Sequence, residues 1–80
     1  MNIQTIGEKV SVNLVDNSPV SVVWKNRDYL ITKIGLHHKY YEGKFLIHIF
    51  SCLSGDLFLK LKFNTNLLSW TLEEFMEGYN

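Results

Sequence analysis

The residues able to do chemistry are few and lie close together. Residues 36 to 41 read LHHKYY, a third histidine follows at His48, and the one cysteine is Cys52. Histidine ligates metals and titrates near neutral pH, and a thiolate attacks carbonyls, so this set could form a metal site or a Cys–His pair. Spacing weighs against both. Adjacent strand residues point to opposite faces, so His37 and His38 do not grip one ion. His37 and His48 could, as cross-strand neighbours about 4.5 to 5.5 Å apart at Cβ. A structural zinc takes four ligands and a catalytic one three plus water, and the next position over on the expected register is Lys62, which repels a cation. Cys52 shares a face with His48 but lies roughly 13 Å along the strand, outside hydrogen-bond reach. Ser51 points away from His48, the carboxylates fall in turns or the tail, and no glycine motif cradles phosphate. The expectation is a protein that is not an enzyme, with no metal and no cofactor. The histidines read as ordinary strand residues.

What must position these residues is a series of hairpins. KVSVNLV alternates, with Val10, Val12 and Leu14 on one side, and DNSP then breaks the strand. VSVVWK and DYLITKIGLHHKY flank Asn26-Arg27, KFLIHIFSC follows Glu42-Gly43, LFLKLKF follows Ser54-Gly55-Asp56, and LLSWTL follows Thr65-Asn66. These short connections predict an antiparallel meander paired in sequence order. A two-residue Glu42-Gly43 loop sets His37 against His48, His38 against Ile47 and Leu36 against Ile49. Ile34, Leu36, His38, Phe45, Ile47 and Ile49 then form the core side. A three-residue loop over Ser54 to Asp56 carries this side on to Leu61 and Phe63, and a two-residue Thr65-Asn66 turn sets Leu61 against Trp70 and Leu59 against Leu72. Around Trp24 both faces are apolar, with Val22 and Trp24 opposing Ile31 and Tyr29, as where a sheet curls over itself near a glycine such as Gly35. The fold class expected is all-β: a small, strongly curled antiparallel meander or SH3-like barrel of five or six strands. Residues 71–78 read either as a strand end or as one helical turn, Thr71 and Glu74 forming a capping box before Gly78.

Eighty residues bound this as one domain, with residues 1–8 a flexible N-terminus. Such a chain buries only about 60% of its unfolded surface, so stability is small. Hydrophobic residues make up 46% and charged residues 20%, the balance of a folded domain rather than a disordered tail. With one cysteine there is no internal disulfide, and no basic segment followed by an apolar run opens the chain, which predicts a cytoplasmic protein without a signal peptide. FLIHIFSCL is too short to span a bilayer, so no membrane partner is expected.

The stretch PVSVVWKNRDYLI resembles a small uncharacterised bacterial domain with the pattern Pro, Trp five residues later, a basic residue, Gly or Asn, Arg, any residue, Tyr, any residue, and Val or Ile. Pro19, Trp24, Lys25, Asn26, Arg27, Tyr29 and Ile31 occupy those positions, and Trp70 to Leu72 matches its closing Trp-x-Leu. Such domains are in some bacteria encoded beside, or joined to, a lesion-bypass DNA polymerase. The resemblance implies a nucleic-acid setting and carries no catalytic residue with it. The same residues also serve any tight hairpin held by a Trp–Tyr cross-strand pair.

Net charge is zero but unevenly spread: Lys25 to Lys62 holds seven basic residues against Asp28, Glu42 and Asp56, a local balance of +4. On the expected register Lys33, Lys39, His48, Phe50, Phe58, Lys60 and Lys62 share the outward face. Cations interleaved with aromatics are what single-stranded nucleic-acid binders use for phosphates and bases. The function expected is non-catalytic binding of nucleic acid there. The alternative is a protein-interaction or self-associating module using Leu46, Phe50 and Phe58 as an apolar patch. Lysines on a solvated strand face, guarding edges, are the bland reading of the same residues.

Overall fold

The computed structural model describes residues 3–78, and among these there is no helix. Seven strands follow in order: β1 (Gln4–Val15), β2 (Ser18–Trp24), β3 (Arg27–Leu30), β4 (Lys33–Glu42), β5 (Phe45–Ser54), β6 (Leu57–Asn64) and β7 (Ser69–Met76). They form one antiparallel sheet, β3-β2-β1-β7-β6-β5-β4, curled into a half-barrel. The all-β class and the curl agree with the sequence. The count of five or six does not, and neither does a C-terminal helical turn, because Thr71 to Met76 continue β7 along β6.

The extra strand arises at Ile31–Thr32. The Ile31 N–H donates to Val20 C=O at 2.9 Å, and the Thr32 N–H donates to Leu53 C=O at 2.8 Å. The chain thus leaves one sheet edge at Ile31 and joins the opposite edge at Thr32, so DYLITKIGLHHKY is two strands. Pairing in sequence order is interrupted there and resumes at β4–β5, and the two halves of the sheet are joined where β7 returns to β1. Gln4 to Glu8, expected as a loose terminus, pair with β7 in this seam.

Turn chemistry set every register, and each loop differs by a residue or more from the expected one. Asp16-Asn17 and Lys25-Asn26 both carry positive φ, as two-residue type I′ hairpins require. Trp24 therefore faces Arg27 and Val22 faces Tyr29. Gly43 and Gly55 have φ of +59° and +61° at the first loop position, with no positive φ at Lys44 or Asp56, the signature of type II′. The loops are Gly43-Lys44 and Gly55-Asp56, not Glu42-Gly43 and Ser54 to Asp56. His37 consequently pairs with Phe50, His38 with Ile49, Lys39 with His48 and Tyr40 with Ile47. The β6–β7 loop takes four residues, Thr65 to Leu68, so Phe63 and not Leu61 faces Trp70.

The Gly55 change has the largest consequence. Shortening that loop by one residue flips every β6 side chain relative to β5. Phe50 now faces Leu61 and Cys52 faces Leu59, while Ile49 faces Lys62 and Ile47 faces Asn64. The inward face of the half-barrel carries the core: Val22, Trp24, Tyr29, Phe50, Cys52, Leu59, Leu61, Leu72 and Phe75. Ile47 and Ile49 are also buried, but on the outward face. Their cover comes from flanking strands. Glu42 Oε2 accepts from Lys62 Nζ at 2.9 Å and from Tyr40 Oη at 3.1 Å, so a β4–β6 ion pair passes over β5 where these isoleucines lie. Bulges between Thr5 and Glu8, Ile34 and Leu36, and Lys60 and Leu61 supply the bends of the curl.

Candidate binding surfaces

The flipped register divides the expected basic and aromatic face. Lys39, His48 and Phe50 point inward, whereas Lys33, Phe58, Lys60 and Lys62 point outward. Phe50 is 6% exposed and belongs to the core, so it offers no stacking surface on the outside. Two outward lysines are already engaged: Lys62 with Glu42, and Lys60 with Glu74 at 3.8 Å. Lys33 and Phe58 meet at a shallow depression of about 410 Å³ beside the Gly35 bulge, with Leu36 and Leu53. Leu46 also points inward, so the patch expected from Leu46, Phe50 and Phe58 does not assemble.

On the inward face, where the barrel opens, a different group comes together. A depression of about 430 Å³ is lined by Leu14 and Asn17 from the β1–β2 hairpin, His37, His48, Phe50, Phe63 and Trp70. His37 and His48 are diagonal neighbours, and His37 Nε2 and His48 Nδ1 share a hydrogen bond at 2.8 Å. His37 lies flat on Phe50, centroids 4.1 Å apart and planes 8° apart, and His48 lies beside His37, edge to edge across that hydrogen bond with centroids 5.1 Å apart. Phe63 packs on Trp70 at 4.6 Å, and Trp70 on Phe50 at 5.5 Å. Burial first, then the nearby positive groups His37 and Lys39, hold the His48 pKa below its ordinary value, so neutral imidazole is favoured there. The cross-strand meeting of His37 and His48 was visible in the sequence. Phe63 and Trp70 as their neighbours were missed, and the signal that finds them is Gly55 at the first position of a II′ turn.

Among the described residues no three metal-ligating side chains are gathered in one place. Burial pushes the Cys52 thiol up to about 11, so it is neutral at physiological pH, walled in beside Leu59.

The other exposed feature is the β4 edge. Among the described residues β4 pairs only with β5; it is ten residues long and exposed at every position but Ile34. Leu36 and Tyr41 are 58% and 69% exposed, and Tyr40 and, across the hairpin, Phe45 are exposed as well. The opposite edge, β3, has four residues.

Comparison of the chain with protein-family models, with curated proteins and with solved structures finds no match. The residues carrying the hairpin resemblance have a structural role here: Pro19, Trp24 and Tyr29 are buried, with Trp24 and Tyr29 rings 6.2 Å apart.

Proposed function

We propose that this chain is a non-catalytic, self-associating protein-interaction module, a small SH3-like barrel in our reading, that docks by strand addition at β4. The observation that carries this is the long, exposed β4 edge bearing Leu36, Tyr40 and Tyr41. Such an edge offers a row of backbone donors and acceptors, and native proteins usually cover or shorten it. Lys33, Lys39 and the Gly35 bulge are partial guards, which leaves Leu36 to Glu42 as the pairing segment. A second copy fits it. Antiparallel self-pairing about His38 keeps each face continuous, sets Leu36 against Tyr40 of the other copy, and brings the Lys33 end of one strand to the Glu42 end of the other. A nucleic-acid surface built from all seven basic and aromatic residues loses support, because Lys33, Phe58, Lys60 and Lys62 are separated from Lys39, His48 and Phe50, and two of those lysines are ion-paired.

The test is sedimentation velocity over a wide concentration series, at low and high salt. Wild-type protein should shift from monomer to dimer with concentration and keep the dimer at high salt, as apolar and backbone contacts do. His38→Lys, which sets like charges opposite each other at the symmetry axis, should remain monomeric and folded. A monomer at every wild-type concentration, or a dimer indifferent to His38→Lys, refutes the proposal.

A further inference from the structure

The mouth of the half-barrel is independent of the β4 edge pairing, and its lining has the makings of a ligand site. We infer that the depression between the β1–β2 hairpin and strands β4 to β7 binds one nucleobase, carried either by a free nucleotide or by an unpaired position of a single strand. Four features of the lining converge on that chemistry.

The first is shape. The volume of about 430 Å³ falls in the range of small-molecule pockets, and barrel mouths are a common place for them. The second is the disposition of the rings. The His37, His48 and Phe50 rings are nearly parallel: exposed His37 stacks on buried Phe50, and half-buried His48 extends the His37 plane edge to edge. Flat surfaces presented in this way suit another flat ring, and stacking on them tolerates any base. The third is polarity. The His37–His48 bond uses Nε2 of one ring and Nδ1 of the other, which leaves His37 Nδ1, His48 Nε2 and the Asn17 amide to meet heteroatoms at a ring edge. A purely apolar ligand would waste these groups. The fourth is charge. Lys39 shares the inward face with His48 and pairs with it across the strands, and no carboxylate lines the depression. That position sets the Lys39 cation at the rim. A ring with an attached phosphate satisfies all four features.

The molecule contains its own control. Trp70 lines the mouth, while Trp24 is buried at the other end of the inward face, its Nε1 donating to Glu8 Oε1 at 3.1 Å. The experiment is a ¹H–¹⁵N NMR titration of the whole chain with AMP, with an oligothymidine single strand and with ribose 5-phosphate. The Trp70 indole and the Leu14, Asn17, His37 and His48 signals should move with AMP, with the strand, or with both. The Trp24 indole should stay, and ribose 5-phosphate should move none of the ring-lining signals. Response to AMP identifies the base itself as sufficient; response to the strand alone identifies an unpaired base within a chain. His37→Ala should weaken binding about tenfold or more, the usual loss of one stacking platform. His37 is exposed on an edge strand, so the variant should fold, and Lys39→Gln provides a second reading on the phosphate. No shift with either base-bearing probe, equal shifts with ribose 5-phosphate, or affinity indifferent to both variants overturns the inference. Dimerisation is blocked independently by His38→Lys on the outward side of the same strand, so failure of the edge pairing and failure of the mouth give different results.

Discussion

The two ends of the inward face are built from the same strands and equally rich in rings, yet only one is closed. At one end Trp24, Tyr29 and Phe75 meet at centroid distances of 5.2 to 6.3 Å in tilted and edge-on geometry, each under a tenth exposed. Glu8 satisfies the one indole N–H that burial would orphan. At the other end His37, His48, Phe63 and Trp70 stack in flatter arrangements and remain open to solvent in part. The difference is closure. Ile31 and Thr32 tie the two sheet edges together through Val20 and Leu53, next to core residue Cys52, whereas between β4 and the β1–β2 hairpin an open depression is lined by Leu14, Asn17 and His37. Ring content alone does not make a core in this chain.

The sharpest way to break this comparison is to truncate one tryptophan at each end. Trp24→Ala should be the costliest single change, about 3 to 5 kcal/mol for a buried aromatic, which is enough to unfold a domain of this size. Trp70, expected from the register of the sequence to be equally central, is only half-buried and should lose clearly less in urea unfolding. Equal losses at the two sites would mean that the mouth is closed in solution.

The all-β class, the hairpins from β4 onward and the side of β4 that His38 occupies relative to Ile47 and Ile49 were legible in the chain, because alternation and turn residues report them directly; the order of strands across the sheet was not. Loop length was not. Ser54-Gly55-Asp56 admits a three-residue loop or a two-residue one, and the choice moves Lys60 and Lys62 from beside Phe50 to the opposite face. Because β5 is apolar on both sides at its centre, an unbroken stripe can be drawn through either Ile47 and Ile49 or Phe50 and Cys52, and parity does not choose between the two loops. The split at Ile31–Thr32 was equally invisible, since nothing local distinguishes a strand that continues from one that changes partner. The seam between β1 and β7 joins residues sixty or more positions apart, and no periodicity announces it.

A smaller effect separates the two ends by pH. His48 at the mouth has a pKa held below its ordinary value of 6.5, first by burial and then by His37 and Lys39. The unfolded chain therefore binds a proton at higher pH than the folded one, and stability is fully present above the unfolded pKa and lost as pH falls toward the folded one. Melting temperature should decline as pH is lowered from about 7.5 to about 5.5, the range in which histidine titrates. His48→Gln should flatten that slope. Glu42 is lowered as well, by Lys62 and Tyr40, but its window begins below its ordinary value of 4.5 and does not overlap. The Trp24 signals should be the last to respond. A slope that survives His48→Gln would assign the effect to another group and remove the contrast in titration between the ends.

The smallest effect concerns the outward face, where burial is achieved by a different device. Ile49 is 4% exposed although it faces away from the core, and Lys62 stands directly opposite it. Two explanations compete: the Lys62–Glu42 ion pair holds the cover in place by charge, or the lysine's methylene stem covers the isoleucine by itself. Exposed ion pairs are screened and contribute little, which favours the stem. Lys62→Met keeps the stem and removes the charge, so its melting temperature should stay close to that of the parent and be insensitive to salt. Lys62→Asp removes both and should fall further. If instead the Met variant falls as far as the Asp variant, the carboxylate of Glu42 is the organising group. The outward face would then depend on charge where the inward face depends on packing.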